Sequence, residues 1–289
     1  MSFIAYLIIL LISFFLNILP RFISLFIGRI LGLFIYYCIP IRKKIALINI
    51  KENLSNLNDK EQLSILKETY KHFGMVLIDF LRCKKLNKKN INKLVSIDEK
   101  TTKILTKNPG SIIITGHLGN WEYFLPIFGL NNYNFSIVAQ PIKNKYLNKY
   151  FLKIRTSKNV EIIFKNEGTK KMHSALNNNY FLGLASDQNA GKKGEKVKFL
   201  NIEASIPKGA AIFHMKTKKP IILAYCTMDK NYNYNFKARL LDTSNIDLEK
   251  EDAIHTINSI FTDNLGKMIK HNANQYFWFH KMKKKSLYK

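Results

Sequence analysis

The sequence predicts an α/β fold. A largely parallel central sheet flanked by helices is preceded by an N-terminal membrane-anchor helix and a small helical region. Three observations predict it. The chain opens on an uncharged apolar run, Phe3 to Leu19. A stretch with helical period follows. From about residue 111, short apolar runs alternate with longer amphipathic ones.

The opening run, FIAYLIILLISFFLNIL, is 17 residues long, at the lower limit for crossing a bilayer. It lacks the basic start and the small-residue cleavage site of a signal peptide, so it reads as an anchor, with a buried core helix as the rival. After Pro20, RFISLFIGRILGLFIYYCI is also apolar but carries Arg21 and Arg29. A mid-span charge is costly, so this piece is expected in the interface or against the body. Arg42, Lys43, Lys44 and Lys51 follow, and only the amino terminus is basic before the anchor. The positive-inside bias places the body after Pro40 in the cytoplasm. The expected division is residues 1–40 as membrane anchor and interfacial segment, and 41–289 as the α/β body, helical to about 95.

Residues 43–82 read as helical. Leu63, Leu66, Tyr70, Phe73 and Leu77 recur at three- and four-residue steps and predict one buried face. NLNDKEQ supplies an Asn/Asp helix start, and Lys84 to Lys93 is a basic connector. Strands are expected at 111–115, 135–140, 160–164, 180–186, 220–226 and 234–241. Helices are expected at 120–130, 143–156, 168–178, 206–217 and 249–271. The strands are continuously apolar, as in a sheet covered on both faces.

The formal charge is +26, from 46 basic residues of which six are arginine. This implies an anionic environment: nucleic acid, acidic lipid or an acidic protein. Lysine, asparagine and isoleucine are abundant together, as in AT-rich coding, so the charge weighs less than a motif would. No zinc-finger, RNP-type or helix-turn-helix pattern accompanies it, which argues against nucleic acid. Cys38, Cys83 and Cys226 are isolated, so neither a metal site nor a disulfide framework is suggested, and reduced thiols facing a cytosol fit.

The most informative stretch is SIIITGHLGNWEYFLPIFGL, Ser111 to Leu130. On one continuous helix His117 and Glu122 would point about 140° apart, given about 100° per residue. They can cooperate only if the strand ends at Gly116 and His117 lies on a loop. Asn120 then caps a new helix with Glu122 in its first turn. The cluster falls beyond the carboxyl end of a strand, where open α/β sheets bind ligands. A histidine beside a carboxylate suits general base catalysis of a hydroxyl. A bare HxxxxE is a weak signal; the strand–Gly–His–Gly–Asn–Trp–Glu context strengthens it.

GHLGNWE resembles the HxxxxD/E block of the glycerolipid-type acyltransferases, and its Gly-Asn-Trp-Glu form resembles the lipid A biosynthesis late acyltransferases (lauroyl/myristoyl acyltransferases). Further blocks are similar in order. NKYLNKYFLKIRTSKNVEII maps the family arginine to Arg155. LASDQNAGKKGEKVKFLNIEASIPKGAA maps Asp187, Gln188, Phe199 and Gly209. RKKIALINIKENL and the ending NQYFWFHKMKKK also match. The sequence departs at Leu200-Asn201, where an aromatic and a glycine are usual, and at Lys283 to Lys285, where arginine is common.

The resemblance implies an acyl carrier protein-dependent O-acyltransferase. It would move a fatty acyl chain from the carrier thioester to a hydroxyl on a hydroxyacyl chain of a lipid A precursor, with no cofactor and no metal. It implies a catalytic body on the cytoplasmic face of the bacterial inner membrane, with acyl carrier protein, the precursor and anionic lipids as partners. His117 would be the general base, oriented and charge-balanced by Glu122. Backbone N–H groups near Gly119 and Asn120 are candidate oxyanion donors. Arg155 would hold Glu122 or a lipid phosphate, and Asp187 would organise the site with Gln188. Each has a blander reading: a chance histidine, a surface arginine, a turn-forming aspartate. Trp278 and Phe279 are expected at the membrane interface or in the core. The alternatives are another glycolipid or glycerolipid acceptor, or a non-enzymatic basic protein binding membrane or nucleic acid.

Overall fold

The computed structural model describes residues 2–283 and 288, so Lys284 and Lys285 of the basic ending lie outside the described residues. Five helices come first: α1 (Ser2–Ile18), α2 (Arg21–Cys38), α3 (Lys43–Asn53), α4 (Asp59–Arg82) and α5 (Lys88–Leu94). Alternating elements follow: β1 (Val95–Ile97), α6 (Glu99–Lys107), β2 (Ile112–Thr115), α7 (Phe124–Leu130), β3 (Phe135–Ala139), α8 (Lys145–Arg155), β4 (Val160–Phe164), α9 (Thr169–Asn177) and β5 (Phe181–Ala185). The chain continues through β6 (Glu195–Phe199), β7 (Ile202–Ile206), α10 (Gly209–Thr217), β8 (Ile221–Met228), β9 (Tyr234–Leu240) and α11 (Ala253–His271).

Seven strands form one sheet in the order β1-β9-β8-β2-β5-β3-β4, parallel at every step except β8 against β9. All six expected strands are in it, and the α/β architecture is as the alternation predicts. Continuous burial along β2 has a simple cause. Ile112 and Ile114 enter the core on one face of the sheet, Ile113 the core on the other.

Two features escaped the sequence pattern. β1 is only three residues long and follows directly on α5. β6 and β7 form a separate antiparallel hairpin. Its signal was present: Val197 and Phe199 are buried while Lys196 and Lys198 point outward, a period of two. Leu200, at the hairpin tip, takes φ +56°. Asn201 docks on the end of α3 through Asn53 (3.1 and 3.2 Å).

The start of α4 is as expected: Asn58 and Glu61 form a reciprocal capping box. Its buried face is not. Leu66 and Tyr70 are buried, but Leu63 and Leu77 are 41 % and 43 % exposed. The reason is that α4 is gripped from two sides, by α2 and by the 3-10 turn Ala273–Gln275 in the carboxy-terminal segment, so its second half buries Met75, Val76, Ile78 and Asp79 instead. α2 and α4 touch through glycines. A Cβ on Gly74 would stand 2.1 Å from the Gly28 carbonyl oxygen, and one on Gly32 2.2 Å from that of Tyr70.

α2 is the one described helix long and apolar enough to cross a membrane; α1 is apolar but shorter. Both leave a large apolar face exposed, including Leu7, Leu11, Phe14 and Phe15 on α1 and Phe22, Phe26 and Phe34 on α2. Arg21, the charge that looked costly, is paired with buried Asp79 at 2.6 and 3.0 Å.

Candidate active site

β2 and β5 are parallel neighbours, with Thr115 opposite Ala185. Their carboxyl ends therefore share an edge. His117 and Asp187 each lie two residues past their strand, and they meet there. Asp187 Oδ1 lies 2.7 Å from His117 Nδ1, and Oδ2 accepts the His117 backbone N–H at 2.8 Å. Tyr276 also hydrogen-bonds the aspartate. Gln188 Nε2 is 3.3 Å from His117 Nε2. The carboxylate fixes Nδ1 as the protonated ring nitrogen and leaves Nε2 as the basic one.

The carboxylate against the ring is thus that of Asp187, not Glu122 as expected. The cause is local. Asn120 does not cap a helix; its side chain turns inward, Nδ2 donating to the Tyr234 hydroxyl at 2.9 Å. A single 3-10 turn, Trp121–Tyr123, precedes α7, and it aims Glu122 at Arg155. The two form a bidentate pair at 2.8 and 2.5 Å, with side chains 14 % and 21 % exposed. Of the two expectations for Arg155, holding Glu122 is the one the geometry provides.

The expected oxyanion donors are already engaged. The Gly119 N–H donates to the Gln275 carbonyl (2.8 Å) and the Asn120 N–H to that of Cys226 (2.7 Å). Gly119 has φ +68°, and a Cβ there would stand 2.0 Å from the Cys226 carbonyl oxygen. Both residues fix the loop against β8 and the carboxy-terminal segment. Phe199 is a core residue and Gly209 begins α10.

Electrostatics follow the geometry. Burial works against a charged His117, yet Asp187 outweighs it, by charge and hydrogen bond, with a smaller contribution from Glu122. The ring's pKa lies above the ordinary 6.5. Burial would raise the Asp187 carboxyl, but His117 and the backbone N–H hold it below 3.8. For Arg155, burial is outweighed by Glu122, and the guanidinium stays charged.

Several participants carried no sequence signal. His72, on α4, is buried and hydrogen-bonds the Gly119 backbone. Burial lowers its pKa to about 4, so it is neutral. Asp79 accepts from both Arg21 and the Tyr234 hydroxyl (2.8 Å), so a chain of side chains runs from α2 to Asn120. The carboxy-terminal segment closes the loop: Phe277 N–H donates to the His117 carbonyl (3.0 Å), and Leu118 bridges Tyr276. Trp278 and Phe279 are core residues, and Trp278 Nε1 donates to Ala273. Asn49, in the segment after the first helices, donates to the Trp278 and His280 carbonyls (2.7 and 2.8 Å). Two blocks at opposite ends of the chain are joined this way.

The histidine–aspartate dyad lies at the carboxyl edge of a mostly parallel sheet, where open α/β sheets bind ligands, and the His117 side chain is 19 % exposed. Residues 1–285 match the family described as bacterial lipid A biosynthesis acyltransferase, and the chain belongs to that family. It is an acyltransferase of lipid A synthesis, which replaces the non-enzymatic alternative. No curated protein matches the chain.

Proposed function

We propose that the protein transfers a fatty acyl chain from an acyl carrier protein thioester to a hydroxyl on a hydroxyacyl chain of a lipid A precursor, with His117 as general base. The observation that carries this reading is the His117–Asp187 dyad, within a chain of the lipid A acyltransferase family. With Nδ1 held by Asp187, Nε2 takes the acceptor hydroxyl proton as its oxygen attacks the thioester carbonyl. The tetrahedral oxyanion collapses, the C–S bond breaks, and the leaving thiolate takes the proton from His117. The products are an ester and the carrier thiol. No metal or cofactor enters these steps.

Gln188 already lies at Nε2, and the incoming hydroxyl takes its place there. The freed amide becomes the oxyanion donor that the Gly119 and Asn120 amides cannot be. Glu122 acts on His117 by charge and is itself held in place by its bidentate pair with Arg155. The exposed apolar faces of α1 and α2 seat the body on the cytoplasmic face of the inner membrane.

The test incubates purified protein with acyl carrier thioester and either a Kdo-lipid A precursor or a lysophospholipid. Product with the first alone is expected, and His117→Ala should lower turnover by about 10²-fold or more. Product with the lysophospholipid alone would move the assignment to a glycerolipid acceptor.

A further inference from the structure

A polar cavity of about 210 Å³ lies between α2, α4, the turn joining β8 to β9 and the carboxy-terminal 3-10 turn Ala273–Gln275. Three cations line it, Arg29, Lys71 and Lys230, against two carboxylates, Glu68 and Asp229, so one positive charge is left over. Glu68 is engaged by Lys71 (2.5 Å). Asp229 Oδ1 accepts the Asn231 and Asn233 N–H groups of its own turn (2.7 and 3.0 Å). Arg29 and Lys230 have no carboxylate partner among the described residues. Arg29 reaches the neutral Tyr232 hydroxyl instead (3.1 Å).

Two walls of the cavity hold the histidine loop. The Gln275 carbonyl accepts the Gly119 N–H (2.8 Å), and buried His72 hydrogen-bonds the Gly119 backbone. Another wall belongs to the helix with the apolar face. Arg29 stands on α2 between Phe26 and Ile30, both exposed. The two arginines of α2 differ. Arg21 is paired with Asp79, whereas Arg29 has no counter-ion among the described residues. An unpaired guanidinium beside a membrane-facing surface is costly unless a lipid phosphate meets it.

We propose that this cavity binds the phosphodiester of a membrane phospholipid, with Arg29 and Lys230 on its oxygens and the acyl chains lying along the exposed face of α2. The proposal rests on α1 and α2 seating the body on a membrane. Size and charge favour this occupant. The volume is below that of the usual pocket for a whole small molecule, about 300–1,000 Å³, so a headgroup fits and the rest of the ligand lies outside. The net positive charge matches a singly charged phosphodiester, and a guanidinium presents a planar fork to it. Phe26 and Ile30, next to Arg29, offer the apolar surface that the chains need. An occupied cavity restrains Gln275 and His72, and through them Gly119 and the loop that bears His117.

The test uses delipidated full-length protein in a phosphate-free detergent. The probe is dihexanoyl phosphatidylglycerol, titrated by calorimetry beside dihexanoylglycerol and inorganic phosphate. The phospholipid should bind about tenfold or more tightly than either control. Arg29→Gln with Lys230→Gln should weaken its binding about tenfold or more, and Arg29→Lys with Lys230→Arg should retain it. Saturating probe should slow hydrogen exchange at the Gly119 amide about tenfold in the native protein and leave the glutamine pair unchanged. Equal probe affinity in the glutamine pair would overturn the proposal. So would dihexanoylglycerol binding as tightly as the phospholipid, or inorganic phosphate doing so, which would assign the cavity to a free anion. Unchanged Gly119 exchange would overturn the link to the histidine loop. Flotation of the native protein on liposomes tests membrane seating separately, because the probe binds in detergent without a bilayer.

Discussion

Asp187 uses both of its oxygens on one residue, holding the His117 ring with one and the His117 backbone with the other. It therefore sets the position of the His117 imidazole as well as its tautomer. Asp187→Asn should lower kcat/KM by about 10²-fold or more, because an amide supports the wrong tautomer. The pH profile separates the two carboxylates. A base is active when neutral, so activity falls as pH drops below the raised pKa of His117, and the acid limb should lie above 6.5. Asp187→Asn should move that limb to lower pH, and Glu122→Gln should move it less, since Asp187 contributes the larger shift. A larger displacement by Glu122→Gln than by Asp187→Asn would restore Glu122 as the principal partner. The same pair links stability to pH. The raised His117 pKa stabilises the fold fully below 6.5, and this is lost as pH rises through the folded value. The depressed Asp187 pKa stabilises it above 3.8, and this is lost as pH falls through the folded value. The difference in melting temperature between the native protein and Asp187→Asn should be largest between these limits.

At the scale of elements, the contact of α2 with α4 matters most for the site. α4 carries His72 against the Gly119 backbone and Asp79 against Tyr234, so a shift of α4 would reach the histidine loop. The close approach at Gly28, Gly32 and Gly74 keeps α4 in place. Gly74→Val cannot be accommodated without separating the helices, and it should destabilise the protein by about 3 kcal/mol or more, read as a fall in thermal midpoint. Activity should fall with it. A variant as stable as the native protein would show that the helices can part without cost. The element boundaries show where sequence signals were strong. Strands from β2 to β5 were legible because apolar runs bounded by polar turns have few other meanings. α7 was placed too early, because Asn120 looks like a helix cap from its neighbours alone. Its side chain instead bonds Tyr234, 114 residues away.

At the scale of the molecule, the first two helices present an exposed apolar surface. Phe15, Phe26 and Phe34 are 55 %, 63 % and 50 % exposed on the first two helices. Their joint replacement by aspartate should leave the fold intact and release the protein from liposomes in a flotation assay. Retention on the liposomes would mean that other surfaces carry the attachment. The sequence by itself determined the alternation of strands and helices, the capping box of α4, and the loop that bears His117. Each is set by neighbours a few residues away, through side-chain periodicity and local hydrogen bonds. The tertiary structure decided which carboxylate meets the His117 ring, which carbonyls engage the Gly119 and Asn120 amides, and why Arg21 is tolerated in an apolar helix. Those outcomes depend on Asp187, Gln275, Cys226 and Asp79, which the sheet order and helix packing bring together from 50 or more residues away. A hydrogen bond reaches about 3 Å, and only the folded chain says which groups come that close.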